Sequence, residues 1–279
     1  FHCLDYGIHA INSNISVGNN LFFNFEAAAG AGVRATDGSA KIEGCSFSGA
    51  ARHFIEAEGA NLTVLSSTFE NTGANAPMAG IYSHGNTHGE LIRIGEPGHS
   101  NSFTMTDDRW EFGIRVERTA APVTKISCQI KYNDFVVSGD QIRVSCIYVE
   151  DAITPAPDLL RVAWNSVDAT GSSNLVNGVA VAFSESKRYL IDNNSIGYNG
   201  SSVSGWGITL NNTLGKASPD NLVSTNHVSG NPGSHSCSVH CEKVNFADFC
   251  ENTVDGSTRG LHFVAINDVA LRENHMNYH

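Results

Sequence analysis

Apolar and polar positions alternate along the chain in two short motifs that follow one another. The first motif has the form apolar-x-x-(Asn/Cys/Ser)-x-apolar, and its copies lie about 22 to 34 residues apart. Its polar positions, which we call the ladder residues, are Asn20, Cys45, Ser67, Asn101, Asn133, Asn165, Asn194, Asn226, Asn252 and Asn274. The copy at Asn101 lacks the leading apolar residue, because Gly98 stands in its place.

The second motif falls between copies of the first. It is a glycine followed by alternating apolar and polar residues, and it begins at Gly7, Gly32, Gly80, Gly113, Gly178, Gly207 and Gly260, with weaker forms around Ile55, Ile147 and Cys237. Residues two apart in a strand face the same side, so each motif predicts a strand with one buried face. Strict interleaving of the two motifs predicts a repeat architecture.

These repeats predict an all-β fold, a single-stranded right-handed parallel β-helix solenoid of about ten coils that forms one domain over residues 1–279. Coils stacked at about 4.8 Å would give a rod of roughly 45–50 Å. We expect each motif glycine to permit a tight corner with φ > 0, and each ladder Asn to turn inward and bond the next. A leucine-rich repeat also stacks Asn, but the inward positions here are mostly Ile, Val and Phe.

The phrase Tyr6-Gly7-Ile8-His9-Ala10 followed by Asn12-Ser13-Asn14-Ile15 resembles the pectate-lyase-like superfamily of right-handed β-helices. It resembles more closely the β-helix tracts of large secreted bacterial surface proteins. The resemblance implies an extracellular or cell-surface location, and it concerns the repeats, so it implies a fold rather than an activity. Because the chain opens and closes in mid-pattern, we expect a segment of a longer protein, with neighbouring domains or copies at the rod ends.

The charge and hydropathy of the chain disfavour some classes of binding partner. The formal net charge of −11 would repel a phosphate backbone, and no run of Lys and Arg offsets it, so nucleic-acid binding is disfavoured. No segment has the apolar length of a membrane-spanning helix. Cations or neutral glycans are the favoured partners.

The middle of the predicted rod carries the candidate site. Connections between the two motifs lengthen from the coil of Ile81 to that of Ile208, which predicts a raised wall on one side. Beside it, the outward positions of three consecutive coils form what we call the middle patch, composed of Tyr82, His84, Arg115, Glu117, Tyr148 and Glu150. Tyr82, His84 and Tyr148 are candidate ligand-binding residues, since aromatic faces stack on sugar rings. Glu117, Glu150 and Arg115 are candidate catalytic residues of a glycosidase or lyase, and the alternative is a solvated face in which Arg115 screens two glutamates.

Enzyme and metal signatures are weak. The sequence lacks the paired aspartates of polygalacturonases, a clear Arg/Lys pair of a lyase and an obvious cluster of calcium-binding aspartates. Asp107-Asp108 beside Arg109 is either a solvated turn or a weak calcium site, and the turn is favoured. Residue types that bind zinc lie close together in one later segment, at His235, Cys237, His240, Cys241 and Cys250. Strand alternation points their side chains to different faces, so they do not converge on one metal ion. A Cys241–Cys250 disulfide or plain packing is therefore favoured over metal binding.

The sequence therefore favours a non-catalytic extracellular scaffold or adhesive segment that contacts glycans through the middle patch. It predicts no cofactor and no metal site, and it leaves calcium open as an ion that no residue pattern supports. The alternative is a polysaccharide lyase or glycoside hydrolase acting at the same patch on an acidic or neutral polysaccharide. A deep groove with converging titratable groups would favour the enzyme, whereas shallow faces and regular stacking would favour the scaffold.

Overall fold

The structure is a computed structural model that describes residues 6–25, 30–71, 79–85, 89–106, 110–117, 127–150, 160–171, 174–182, 189–200, 203–211, 221–230, 236–256 and 259–277. Strands supply the regular secondary structure of these residues, and they contain no helix. Accordingly, none of the described residues forms a helix that could cross a membrane.

The strands form two sheets in which all strand pairs are parallel. The larger, seventeen-stranded sheet contains β1 (Tyr6–Gly18), β3 (Ala31–Glu43), β5 (His53–Leu65), β7 (Ala79–His84), β8 (Leu91–Ile94), β10 (Phe112–Glu117), β11 (Ser127–Lys131), β13 (Arg143–Glu150), β14 (Leu160–Ala163), β16 (Leu175–Ala182), β17 (Tyr189–Asp192), β19 (Gly205–Asn211), β20 (Leu222–Ser224), β22 (Ser236–Glu242), β23 (Asn245–Cys250), β25 (Arg259–Val264) and β26 (Asn267–Arg272). The ten-stranded sheet contains β2 (Leu21–Phe25), β4 (Ser46–Gly49), β6 (Thr68–Asn71), β9 (Asn101–Met105), β12 (Asn133–Val137), β15 (Ser166–Ala169), β18 (Ser195–Tyr198), β21 (His227–Gly230), β24 (Thr253–Asp255) and β27 (His275–Asn277).

The chain visits the sheets in a fixed order. In each repeat it passes through a first arm and a second arm of the larger sheet and then through one strand of the smaller sheet. The two arms are halves of one long strand in β1, β3 and β5, and β5 pairs with both β7 and β8, which are the separate arms of the next repeat. Each strand pairs with its equivalents in the neighbouring repeats, an arrangement compatible with a parallel β-helix-like solenoid.

The core consists of the inward positions of successive repeats, which lie directly above one another. Along the ten-stranded sheet, Phe47, Phe69, Phe103 and Phe135 are fully buried, and their neighbouring rings stack with centroids 5.1, 4.6 and 4.7 Å apart. Burying such a ring contributes roughly 2–3 kcal/mol. The first motif therefore places identical side chains in columns that exclude water.

The ladder residues occupy the corner between the second arm and the ten-stranded sheet. From Asn101 onward, each side-chain Nδ2 donates to the Oδ1 of the next ladder residue, at 2.9 Å between Asn133 and Asn165 and between Asn194 and Asn226. The same Nδ2 also donates to a main-chain carbonyl of the preceding repeat, as Asn194 does to Val162. From Asn165 onward, each receiving Oδ1 accepts a second bond from the main-chain N–H of the previous ladder residue. The buried amides are therefore satisfied by one another and by the turn.

The column changes character at its N-terminal end. Ser67 Oγ accepts from the Cys45 main-chain N–H at 3.2 Å, and the Cys45 thiol is buried against the Val17 and Glu43 carbonyls. Asn20 is exposed, and its Nδ2 donates to the Gly18 carbonyl. At the other end, Asn274 is only partly buried and bonds the Phe249 carbonyl.

A left-handed residue directly precedes nine of the ten ladder residues. Examples are Tyr132, Trp164 and Asn193, with φ of 56°, 53° and 55°. An L-residue in this conformation costs roughly 1–2 kcal/mol. Except for Glu273 in the last repeat, the main-chain N–H of each of these residues donates to a carbonyl of the following repeat, so the strain is held by the same corner that carries the amide column.

Two details of the sequence interpretation are wrong. The glycines that open the second motif do not adopt φ > 0. They allow close approach instead: a Cβ on Gly113 would lie 2.6 Å from the Cys146 carbonyl oxygen. The copy at Asn101 does have a leading apolar residue, which is Ile94. Ile94 is in register with Ile130, the leading residue of the next copy, and the turn Glu96–His99 lengthens the spacing between Ile94 and Asn101.

Replacing Asn194 with Leu is expected to lower the free energy of unfolding by roughly 1–3 kcal/mol, because the Val162 carbonyl and the neighbouring amides lose their partners. Urea unfolding at constant pH measures this. The matched control is Asn199→Leu, which lies five residues further along the chain, after β18, with an exposed side chain that bonds Asp168. Equal stabilities of the two variants would contradict a structural role for the amide column.

Candidate functional site

The middle patch lies on the outward face of the first arm. Arg115 is in register with Tyr82 on one side and Tyr148 on the other, and Glu117 is in register with Glu150. All six patch residues are partly exposed. The parallel register therefore brings the six predicted residues into one surface.

Arg115 lies at the centre of the patch. Its Nη2 is 2.6 Å from Glu117 Oε2, and its guanidinium lies 5.4 Å from the ring centre of Tyr82 and 5.9 Å from that of Tyr148. The Tyr82 hydroxyl donates to Glu117 Oε1. Both oxygens of Glu117 therefore have protein donors, and Arg115 is in contact with an aromatic ring on each side.

The charged surface continues into the two preceding repeats, which the sequence interpretation missed. Arg34 bonds Glu58 at 2.8 Å, and His84 contacts Glu56 at 3.1 Å. Burial acts to raise the pKa of Glu56, but the hydrogen bond from His84 and the charge of Arg34 outweigh it and lower the net pKa. The signal was present, since Arg34 and the residue after Ile55 hold the same motif position as Tyr82.

Burial controls the protonation of other groups around the patch. His53 is 2% exposed and lies 4.8 Å from the Tyr82 ring, and desolvation lowers its pKa to about 4. Burial also raises the pKa of Tyr148 to about 12, assisted by the charge of Glu150 and a hydrogen bond to it. The pKa of Tyr82 is raised by burial and by its bond to Glu117. Both tyrosines therefore stay protonated near neutral pH.

A shallow groove of about 270 Å³ adjoins the patch at Phe112, whose ring packs 5.1 Å from that of Tyr148. It is lined by Glu111, Phe112, Arg143, Val144, Ser145, Leu175 and Asn177. A second open groove, of about 480 Å³, lies at the corner between the arms near Asp37 and Glu90. Both are open surfaces, unlike the enclosed clefts that bury most of a small ligand.

Several predicted features lie outside the described residues. Asp107, Asp108 and Arg109 are among them, and so are the lengthened connections 118–126, 151–159 and 212–220 that predict the raised wall. The proposed turn or calcium site and the wall therefore stay predictions.

The cysteine and histidine group does not form a disulfide or a three-ligand metal site in the part of the chain that the structure describes. Cys241 and Cys250 are free thiols, Cys241 in the core and Cys250 partly exposed, so the predicted disulfide is wrong. Their side chains belong to different arms, β22 and β23. His240 points outward and stacks on His262, with Nδ1 atoms 3.0 Å apart, and no described set of three His, Cys, Asp or Glu residues could hold a metal. His235 lies outside the described residues.

Comparison with known proteins adds no relationship, since no family model, curated protein or solved structure matches the chain.

The buried imidazole of His53 predicts a pH-dependent stability. Its folded pKa of about 4 lies below the ordinary histidine pKa of about 6.5, so the unfolded chain binds more protons between these pH values. Stability should therefore fall as pH decreases from about 6.5 to about 4, by on the order of 3 kcal/mol from this residue. Urea unfolding across that range should show a shallower pH dependence for His53→Phe than for wild type. The exposed His275→Phe control should keep the wild-type slope, and a wild-type slope in His53→Phe would contradict the assignment.

Proposed function

We propose that the chain winds as a right-handed parallel β-helix of ten coils and serves as a non-catalytic extracellular scaffold or adhesive segment that contacts glycans through the middle patch. The observation that carries this proposal is the mutual pairing of the patch charges on a regularly stacked face. Such a face offers a fixed, repetitive surface rather than a reactive centre.

Regular stacking supports a scaffold role. The columns of Phe rings and ladder amides repeat from one strand of the ten-stranded sheet to the next, and each repeat contacts chiefly its neighbours. Repeat architectures of this kind are elongated and present extended surfaces to partners. A rod stiffened by side-chain columns can hold binding groups at set distances.

Pairing within the patch favours binding over catalysis. A glycosidase needs one carboxylate free to act as nucleophile or base and another to act as acid. Glu117 instead receives hydrogen bonds from Arg115 and Tyr82, which fix it in place. The adjoining groove is shallow, so water would not be excluded from a reacting bond.

Aromatic rings make a glycan the favoured ligand. Tyr82 and Tyr148 flank Arg115, and Phe112 continues the aromatic surface toward the groove. Aromatic faces bind sugar rings through dispersion and C–H contacts, while the tyrosine hydroxyls and the guanidinium provide polar partners. The chain's charge of −11 and the carboxylates of the patch favour a neutral glycan over an acidic one there.

One observation favours the alternative of a polysaccharide lyase or glycoside hydrolase. Glu117 and Glu150 are in register on adjacent strands, with Arg115 beside them. Neighbouring strands place such residues roughly 5 Å apart, the separation used by retaining glycosidases.

Substitution in the patch separates the two functions. Tyr148→Ala should weaken glycan binding by roughly 1–3 kcal/mol through lost stacking area, whereas Glu117→Gln should change it little. A glycan array and titration of the best ligand measure binding, and a reducing-end assay measures cleavage. The exposed His275→Ala on β27 is the control and should bind as wild type.

If the wild-type chain cleaves a glycan, and Glu117→Gln abolishes cleavage but retains binding, the alternative of a lyase or glycoside hydrolase would be established instead. Signal in neither assay would leave the scaffold role and remove the glycan ligand.

The rod ends are proposed to contact neighbouring domains or copies. Apolar side chains are exposed in the first and last repeats, with Leu21 66% and Leu271 53% exposed. The core residues Leu261, Phe263 and Val269 of the last repeat are only partly buried. Among the described residues, the strands of the first and last repeats pair along one edge only, and such edges with apolar flanks favour end-to-end association.

Sedimentation velocity over a range of concentrations is therefore expected to show reversible self-association of this chain. Leu271→Glu should weaken it, because a charge would be placed in the apolar end. Val136→Glu, at a position of similar chemistry in the middle of the rod and 39% exposed, should not. A monodisperse monomer at all concentrations would overturn association between copies.

A further inference from the structure

A cluster of cations lies on the outward face of the second arm, away from the middle patch. Arg93, Gln129 and Arg161 are in register on the consecutive strands β8, β11 and β14. Lys131 lies two residues beyond Gln129 on the same face of β11. We call Arg93, Gln129, Lys131 and Arg161 the basic cluster. It stands out because the chain as a whole carries a charge of −11.

The carboxylates near the basic cluster do not engage all of its donors. Asp192 accepts from Arg161 Nε at 3.4 Å and from Nη2 at 3.1 Å, which leaves Nη1 outside this pair. Glu96 lies 3.8 Å from Arg93, beyond hydrogen-bond distance. Among the described residues, Lys131 forms no ion pair.

The ammonium of Lys131 lies in a positive field. Burial lowers its pKa, and the charges of Arg161 and Arg93 lower it further, against the opposing effect of Glu96 and Asp192. An anion bound between these side chains would relieve the repulsion and complete the coordination of Lys131 and Arg93. The side-chain amide of Gln129, between the two arginines, supplies a further N–H donor.

An aromatic ridge borders the cluster at the adjacent corner. Tyr132 directly follows Lys131, and its ring stacks on that of Trp164 with centroids 5.1 Å apart and planes 8° from parallel. The guanidinium of Arg161 lies 4.3 Å from the Trp164 ring centre, so the ridge and the cations form one continuous surface. An anionic group beside aromatic edges matches the chemistry of a sugar that carries an acidic substituent.

We propose that the basic cluster and the Tyr132–Trp164 ridge form a binding site for an acidic sugar, in which the cations bind a carboxylate or sulfate and the ridge contacts the sugar ring. This site lies on a different face from the middle patch, and it stands whether or not that patch binds glycans. The shared chemistry of its ligands is an oxyanion attached to a sugar.

Calorimetric titration of the whole chain with dextran sulfate, polygalacturonate, unmodified dextran, inorganic sulfate and duplex DNA tests the proposal. We expect at least one acidic polysaccharide to bind with an affinity that falls as salt rises, and dextran not to bind. Lys131→Gln should weaken that binding roughly tenfold, because a charge-assisted contact is lost. Lys243→Gln, at an exposed lysine elsewhere on the chain, is the matched control and should bind as wild type. Melting temperatures of the variants show whether they are folded.

Trp164→Asn tests the ridge, since Asn tolerates the left-handed backbone at this position while removing the ring. It should weaken binding of the acidic polysaccharide and leave any binding of inorganic sulfate unchanged. Equal losses in Lys131→Gln and Lys243→Gln would overturn the site, as would equally tight binding of duplex DNA. Tyr148→Ala should not affect this binding, so failure of the basic cluster and failure of the middle patch are distinguishable.

Discussion

The structure depends on the hydrogen bonds of the corner between the second arm and the ten-stranded sheet. The chain must turn there while its main-chain groups are buried, and an unpaired buried polar group costs about 1–3 kcal/mol. A ladder amide resolves this by donating to the carbonyl of the repeat before it and accepting from the N–H of its neighbour. Because each amide needs another above it, the corner is stable only when the repeats stay in register. The left-handed residue before nine of the ten ladder positions and the column of buried Phe accompany that register.

Fixed register also explains how the outer surface is organised. Residues separated by 22 to 35 positions in sequence become neighbours on adjacent strands, as Val33 and Ile55 do at the short end of this range and Tyr82 and Glu117 at the long end. Single substitutions on the outward face therefore act on columns rather than on isolated sites. In the middle patch, such a column alternates aromatic rings with a guanidinium and carboxylates, and the groups satisfy one another. This internal pairing is the reason for proposing a binding face rather than a catalytic centre at the middle patch.

The all-strand, parallel organisation could be predicted because the alternation of apolar residues and the recurring polar position are properties of each repeat. The six patch residues could be placed on one face for the same reason. The role of the motif glycines could not be predicted from the sequence. A glycine can be required for a positive φ or for close packing against a neighbouring main chain, and which of the two applies depends on the atoms around it, as the Cys146 carbonyl near Gly113 shows. The Cys241–Cys250 disulfide failed because spacing does not say which arm a cysteine belongs to. Arg34 and Glu56 could not be assigned to the charged surface from connection length, because their repeats have short connections although both residues are in register with Tyr82.

The outward faces of the first and second arms differ in how completely their cationic side chains are paired with carboxylates. This difference is the reason for proposing a different ligand for each face. On the first arm, the Arg115 and Arg34 guanidinium groups each lie within 3 Å of a carboxylate. On the second arm, the ammonium of Lys131 lies beside two arginines, and the nearest carboxylates serve Arg161 or stay beyond hydrogen-bond distance. Where the charges of a surface are paired with one another, a ligand binds mainly through contacts with aromatic rings. Where cations lack paired carboxylates, they attract an anionic ligand over distances up to about a Debye length. Under the two proposals, the first arm would contact the neutral part of a glycan and the second arm its acidic part, because pairing in register fixes each set of side chains on its own arm.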